Sequence, residues 1–261
     1  MLNQRNESNK LKYEGKVFST KNNGDLVVIE CKRRDRVVVK FIDTGYVKTT
    51  HLHLILEGKV KDRLKPTVYG VGVVGDESCV ENGVVLKEFK LWSSMLQRCY
   101  DKELKKNYPS YESCTTEPFF NSFTNFKGWC RNQVGFGSKD ENGNHFALDK
   151  DILIKGNKIY SPETCCFVPN EINNLLSPNK VRRGSNPIGV SFHKRDEKYE
   201  ACLNTGSSRR YLGRFMSAEE AFYAYKQAKE VYIKQVAEKW KNKIDHRVYV
   251  ALMKYKVEIT D

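Results

Sequence analysis

The sequence predicts an α+β, multidomain protein: a small N-terminal β-barrel, a central α+β domain, and a C-terminal three-stranded antiparallel sheet packed on one long helix. Three observations carry this. Residues 13–72 hold four short apolar runs separated by turn signals. Residues 87–178 mix helix-period segments with short strands, and residues 187–261 read as three strands followed by a capped amphipathic helix. Each reading rests on periodicity, two for strands and 3.6 for helices.

At the front, residues 1–12 are polar and predict a disordered arm without the apolar core of a signal peptide. VFST, DLVVIEC, RVVVKFID and YVKTTHL then read as strands, with KNNGD, KRRDR and DTGY as turns. Four strands this close predict a strongly bent barrel. The segment from Tyr13 to Leu64, with "VVVKFIDTGY" and "GKVKDRLKPTVYGVG", resembles the small Src-homology-3-like domain at the front of many bacteriophage proteins. Such barrels bind many partners, so the likeness implies no single function. Residues 73–86, rich in Gly and Val, predict a linker or connecting strand.

In the middle, Phe89, Leu91, Trp92, Met95, Leu96 and Cys99 recur at helical spacing, as do Phe123, Phe126, Trp129 and Cys130. These aromatics predict core rather than a base-stacking row. NYPSYESCTTEPF between them reads as extended. Next, ALDKDILI predicts a strand, KGNKIYSPET a loop, CCFVP a second strand and NEINNLL a helix.

Residues 179–186 predict a basic linker. GVSFHK, KYEACLN and RYLGRF follow as strands, joined by KRDEK and TGSS. Ser217 with Glu220 three residues on is a capping box. The helix face Ala221, Phe222, Tyr225, Ala228, Tyr232, Val236, Trp240 is expected to cover Val190, Phe192, Ala201, Leu203, Leu212 and Phe215. The opposite sheet face and its loops are then expected to carry His193, Lys194, Arg195, Lys198, Arg209, Arg210 and Arg214. A narrow antiparallel sheet fits a major groove about 12 Å wide.

Charge agrees with that reading. The chain has 261 residues and a net charge of +13, and residues 180–261 hold 18 Lys+Arg against 10 Asp+Glu, a net of +8. About a third of the chain carries more than half of the excess, which favours a polyanionic partner. With 39% hydrophobic and 30% charged residues the composition is that of a soluble globular protein, and no apolar run is long enough to span a bilayer. The eight cysteines form no C-x-x-C pair and read as reduced, mostly buried thiols, which predicts a cytoplasmic location. A structural zinc built from scattered cysteines is the less favoured reading.

Two further resemblances concern function. "IGVSFHKRDEKYEACLNTGSSRRYLGRFMSAEEAFYAYKQAK" resembles the plant APETALA/ethylene-response-factor DNA-binding domain, through G-V at its start, the aromatic before E-A, Y-L-G-x-F and A-E-E-A-x-x-A-Y. By position that likeness implies double-stranded-DNA contacts by Lys194, Arg195, Lys198, Tyr199, Arg210 and Arg214. Tyr199 stands where the family usually has Trp, so base preference does not carry over. The middle segment resembles HNH-class (ββα-metal) domains of phage proteins, through L-D-K-D, Y-S-P-E-T-C, V-P-x-x-I-N and the opening W-x-x-M-x-x-R-C-Y. That likeness implies a ββα finger and metal-dependent DNA cleavage, with Mg2+ or a similar divalent cation. Asp149 matches a metal-ligand position and Asn173 a residue that holds the ion or orders the finger. Asp151 alternates to the face of Asp149 on the expected strand and would complete the donor set. Lys150 stands where the general-base histidine belongs, and His145, four residues before Asp149, is the other catalytic candidate, reaching the site only if the strand begins late.

The expected function is therefore a phage-type endonuclease targeted by its C-terminal sheet, in the host cytoplasm if phage-encoded. The alternatives are a non-catalytic DNA-binding regulator with a degenerate finger, and a factor docking on a host protein complex. The departure at Lys150 favours the first alternative.

Overall fold

The computed structural model describes residues 12–176, 186–206 and 208–261. The arm expected at 1–12 and the linker expected at 179–186 fall almost wholly outside them. The chain groups into two compact units. One holds the residues through Glu112 together with Pro118–Lys127; the other holds Ser113–Glu117 and Gly128–Asp261. The segment expected as a middle domain at 87–178 contributes to both. The molecule is mixed α+β, and no described helix is long and apolar enough to cross a membrane.

In the first unit, β1 (Val17–Ser19), β2 (Asp25–Arg33), β3 (Arg36–Phe41) and β4 (Val47–Thr50) form an antiparallel sheet in sequence order. Alternation drives it: Leu26, Val28, Val37, Val39 and Phe41 are fully buried on one face. Register shifts at Val28/Glu30 and Cys31/Arg33 bend β2. The run expected to continue as strand through Leu52 turns instead into α1 (Leu52–Leu56). Leu52 and Ile55, three apart, then share one buried face. The expected linker holds a small hairpin, β5 (Val80–Glu81) and β6 (Val84–Val85), closed by Asn82 and Gly83. Both have positive φ, 49° and 77°, the geometry for which Asn-Gly is selected.

Next comes α2 (Lys87–Tyr100), with Trp92, Met95, Leu96 and Cys99 buried. The Trp92 indole donates to the Phe120 carbonyl at 2.7 Å, so burial leaves its N–H satisfied. α2 stops because Asp101 caps α3 (Lys102–Asn107), its carboxylate accepting from the N–H groups of Glu103 and Leu104. The stretch expected as extended holds a 3-10 turn (Pro109–Tyr111), β7 (Thr115–Thr116) and α4 (Pro118–Asn121). α5 (Phe123–Arg131) follows, and Phe120, Phe123 and Phe126 are fully buried, as core aromatics are.

In the second unit, β8 (Ala147–Asp149) pairs antiparallel with β10 (Cys166–Val168), and β9 (Ile159–Tyr160) pairs parallel with β7. α6 (Asn170–Leu175) packs against β8. β11 (Val190–His193), β12 (Lys198–Asn204) and β13 (Arg209–Phe215) form a three-stranded antiparallel sheet. α7 (Ala218–Trp240) lies on it, started by the expected capping box of Ser217 and Glu220. Its buried stripe is Ala221, Phe222, Tyr225, Ile233, Val236, Ala237 and Trp240. Ala228 and Tyr232, expected on that stripe, are half-buried beside it. Phe192, also expected in the core, is 44% exposed on the outer strand and packs 5.1 Å from the Tyr199 ring. α8 (His246–Lys254), capped by Asp245, packs on α7.

Candidate functional site

In the ββα element made by β8, β10 and α6, one side chain closes the turn after β8. Asp149 ends β8: its Oδ1 accepts from the N–H of Asp151 at 2.8 Å and of Ile152 at 3.0 Å. A short acceptor that bonds its own chain two residues on offers the backbone a turn instead of a ladder. The strand expected over ALDKDILI therefore stops at Asp149. Asp151 meets Asp149 across this turn, not by strand alternation as expected. The two carboxyls remain neighbours. Burial first, and the Asp151 charge second, push the Asp149 carboxyl up to about 6.

Lys150 is only 8% exposed. Its ammonium lies 3.1 Å from Asp151 Oδ2 and 5.6 Å over the Tyr160 ring. Its carbonyl accepts from Asn157 Nδ2 at 2.8 Å, and the same amide group donates to Ile159 at 2.7 Å. At the position of the expected general base the chain thus holds a paired cation, and an ammonium has no lone pair with which to take a proton from water. His145 is exposed and bridged through its backbone to Lys139, and its ring forms no hydrogen bond or ion pair among the described residues. Asn173 is half-buried on α6, its N–H bonded to the Pro169 carbonyl.

The donor set for a divalent ion is thin. Asp149 Oδ1 is committed to two amides and Asp151 Oδ2 to Lys150, so a dication here would compete with the neighbouring ammonium. Among the described residues no three His, Cys, Asp or Glu side chains converge to hold a metal. Burial pushes the neighbouring Cys165 thiol up to about 12 and raises that of Cys166 as well, leaving both protonated.

This element is tied to the C-terminal helices. Glu171 Oε2 on α6 accepts from the Trp240 indole at 2.7 Å and the Lys239 ammonium at 2.8 Å. Phe146 meets Trp240 edge-on at 5.8 Å. Lys155, in the loop after Asp151, donates to the Lys256 carbonyl at 3.1 Å and pairs with Asp261 at 2.7 Å.

In the sheet, register decides what each side chain faces. Val190 opposes Ala201, Tyr199 opposes both Phe192 and Phe215, and Leu203 opposes Arg210. Val190, Ala201 and Leu203 are buried under α7, so Tyr199 and Arg210 share the helix-facing side. This corrects the expectation of DNA contact on the open face for both Tyr199 and Arg210. For Arg210 the cause is a register shift after Ala201 that makes Leu212 an extra residue in β13, at a Gly213 with φ of 137°.

The open face carries Ser191, His193, Lys198, Glu200, Cys202, Arg209, Tyr211 and Arg214. Glu200 is central: Arg209 lies 3.2 Å and Arg214 3.7 Å from its carboxylate. Arg214 also pairs with Asp196, whose Oδ2 is 3.5 Å from His193 Nδ1. Lys194, Arg195 and Lys198 surround the first turn and form no ion pair among the described residues. Glu200 and Asp196 were missing from the expected site. Glu200 sits two residues after Lys198 on the same strand, so alternation alone places it among the arginines.

Comparison with protein-family models, curated proteins and solved structures gives no match for this chain.

Proposed function

We propose that the chain binds double-stranded DNA through the open face and first turn of the β11–β13 sheet, and that the ββα element is a packed support rather than a cutting centre. One observation carries this reading. Lys194, Arg195 and Lys198 flank Asp196 and Glu197 in the turn at one end of a three-stranded sheet and form no ion pair among the described residues, and the open face adds Arg209 and Arg214. Arg209 is 62% exposed and Arg214 37%, while their shared partner Glu200 is 19% exposed. A phosphate or base edge can compete for the exposed sides of both guanidinium groups. The four-stranded N-terminal sheet is read as the small barrel the sequence suggests, adding surface rather than chemistry.

The test is anisotropy of a labelled duplex titrated with the full chain at several salt concentrations. If three to five phosphates are neutralised, log K is expected to fall with log salt at a slope of about −3 to −5, unchanged by chelator. Affinity that ignores salt would remove the proposal.

A second reading, a divalent-ion-dependent endonuclease, is favoured by the Asp149–Asp151 carboxyl pair. Plasmid incubated with Mg2+ or Mn2+ separates the two readings. Nicking that disappears with chelator and in Asp149→Ala would replace the support role by cleavage.

A further inference from the structure

A groove of about 500 Å³ runs between α7 and the β12–β13 hairpin, on the side of the sheet away from the proposed DNA face. Its floor is apolar: Leu203 is 2% exposed, Ala228 is half-buried, and Val231 stands 56% exposed on the helix. The Tyr232 hydroxyl donates to the Thr205 carbonyl at 3.0 Å and fixes the hairpin to the helix, so the walls are set. Arg210 lines the groove.

Arg210 differs from its neighbours. Arg209 and Arg214 both have carboxylate partners; Arg210 forms no ion pair among the described residues. The acids on the second half of α7 are engaged elsewhere, Glu230 by Lys256 and Lys226, Glu238 by Lys241 and the Tyr249 hydroxyl. The side-chain amides of Gln227 and Gln235 also line the groove and make no hydrogen bonds among the described residues. From Gln227 to Gln235 the helix advances about 12 Å, the length of two helical turns of a guest.

We propose that this groove is a docking site for an acidic amphipathic helix of a partner protein. The guest lays its apolar face on Val231 and Ala228 and places a carboxylate on the Arg210 guanidinium. The unmatched charge chooses the occupant. A purely apolar guest would desolvate Arg210 without a counter-ion, and a second copy of this groove would bring a second uncompensated arginine. The site does not depend on DNA binding by the opposite face.

The experiment uses the full chain and two labelled helical peptides of about 15 residues, one with Leu at helical spacing and Glu on its flanks, the other with every Glu replaced by Gln. Anisotropy is expected to show saturable binding of the Glu peptide and binding at least about fivefold weaker for the Gln peptide. Arg210→Gln and Val231→Ser, both at exposed positions, are each expected to weaken the Glu peptide by about fivefold or more with unchanged circular dichroism. Several outcomes overturn the proposal: no saturable binding, equal binding of the two peptides, or no effect of either variant. It is equally overturned if Arg210→Gln leaves peptide binding intact and weakens duplex DNA tenfold, because Arg210 would then belong to the nucleic-acid surface.

Discussion

Gly189 lies directly beneath the ring of Tyr225. A Cβ at this glycine would sit 2.0 Å from Tyr225 Cδ2, and the backbone there has a φ of 76°. Gly189 enters the first strand of the sheet and Tyr225 belongs to the buried stripe of α7, so this contact limits how closely helix and sheet approach there. Gly189→Ala combines a left-handed backbone with overpacking. The expected loss is about 2–4 kcal/mol, read from urea or thermal unfolding. A change under about 0.5 kcal/mol would mean that the helix shifts at no cost and that the contact does not set the fit.

The Asp149 carboxyl is raised to about 6 from an ordinary value of 3.8, by burial and by Asp151. Because the folded-state value lies above the unfolded one, the folded chain holds the proton more tightly. The resulting stability is fully present below about pH 4 and is lost as pH rises through about 6. Asp149→Asn keeps the oxygen that accepts from Asp151 and Ile152 and removes the charge. The variant and the parent are therefore expected to be similar near pH 4, with the variant gaining on the order of 1–3 kcal/mol by pH 7. Unfolding curves collected across that range check this. Parallel pH profiles would show that Asp149 is not the titrating group.

What was legible in the sequence depended on how local the determinant was. The capping box at Ser217 and Glu220 and the alternation of β11–β13 are short-range signals, and both elements form where they are expected. The end of β8 at Asp149 is also local, but two propensities compete there. ILI invites extension, and the Asp149 side chain closes a turn that wins the backbone. The side of the sheet on which Arg210 lies was not legible. One extra residue at Leu212 puts Arg209–Tyr211 out of phase with Gly213–Phe215, so Arg210 and Arg214 face opposite sides, and nothing before Gly213 announces it. The surroundings of Lys150 needed tertiary structure, because Tyr160 and Asn157 reach it across the loop.

Glu200 holds Arg209 and Arg214 in the middle of the open face. It also places a negative charge where phosphates are proposed to approach. Glu200→Gln keeps the shape, releases both guanidinium groups and removes the repulsion. Duplex affinity is expected to rise about three- to tenfold at low salt. Lys194→Ala with Arg195→Ala is expected to lower it and to reduce the salt slope by about 1–2. Anisotropy titrations of the three proteins at matched salt make the comparison. Weaker binding by Glu200→Gln would mean that the acid orders the arginines for contact instead of restraining them.

Lys150 stands where the sequence led us to expect a general base, and two accounts of it lead to opposite results. In the structure its ammonium is buried, 3.1 Å from Asp151 and over the Tyr160 ring. If that is its role, Lys150→Ala leaves the Asp151 charge beside Asp149 without compensation and opens a gap under Tyr160. Both effects act on the folded state, and the expected loss is about 2–4 kcal/mol. Lys150→Met fills the gap and leaves only the charge, so it is expected to lose about half as much. Duplex affinity is expected to stay within about twofold for both variants, because the ammonium is too buried to meet a phosphate. A catalytic lysine would behave in the reverse manner, with stability nearly unchanged in Lys150→Met and chelator-sensitive nicking abolished. Unfolding, anisotropy and plasmid nicking on the same two variants therefore decide whether this position supports the fold or cuts.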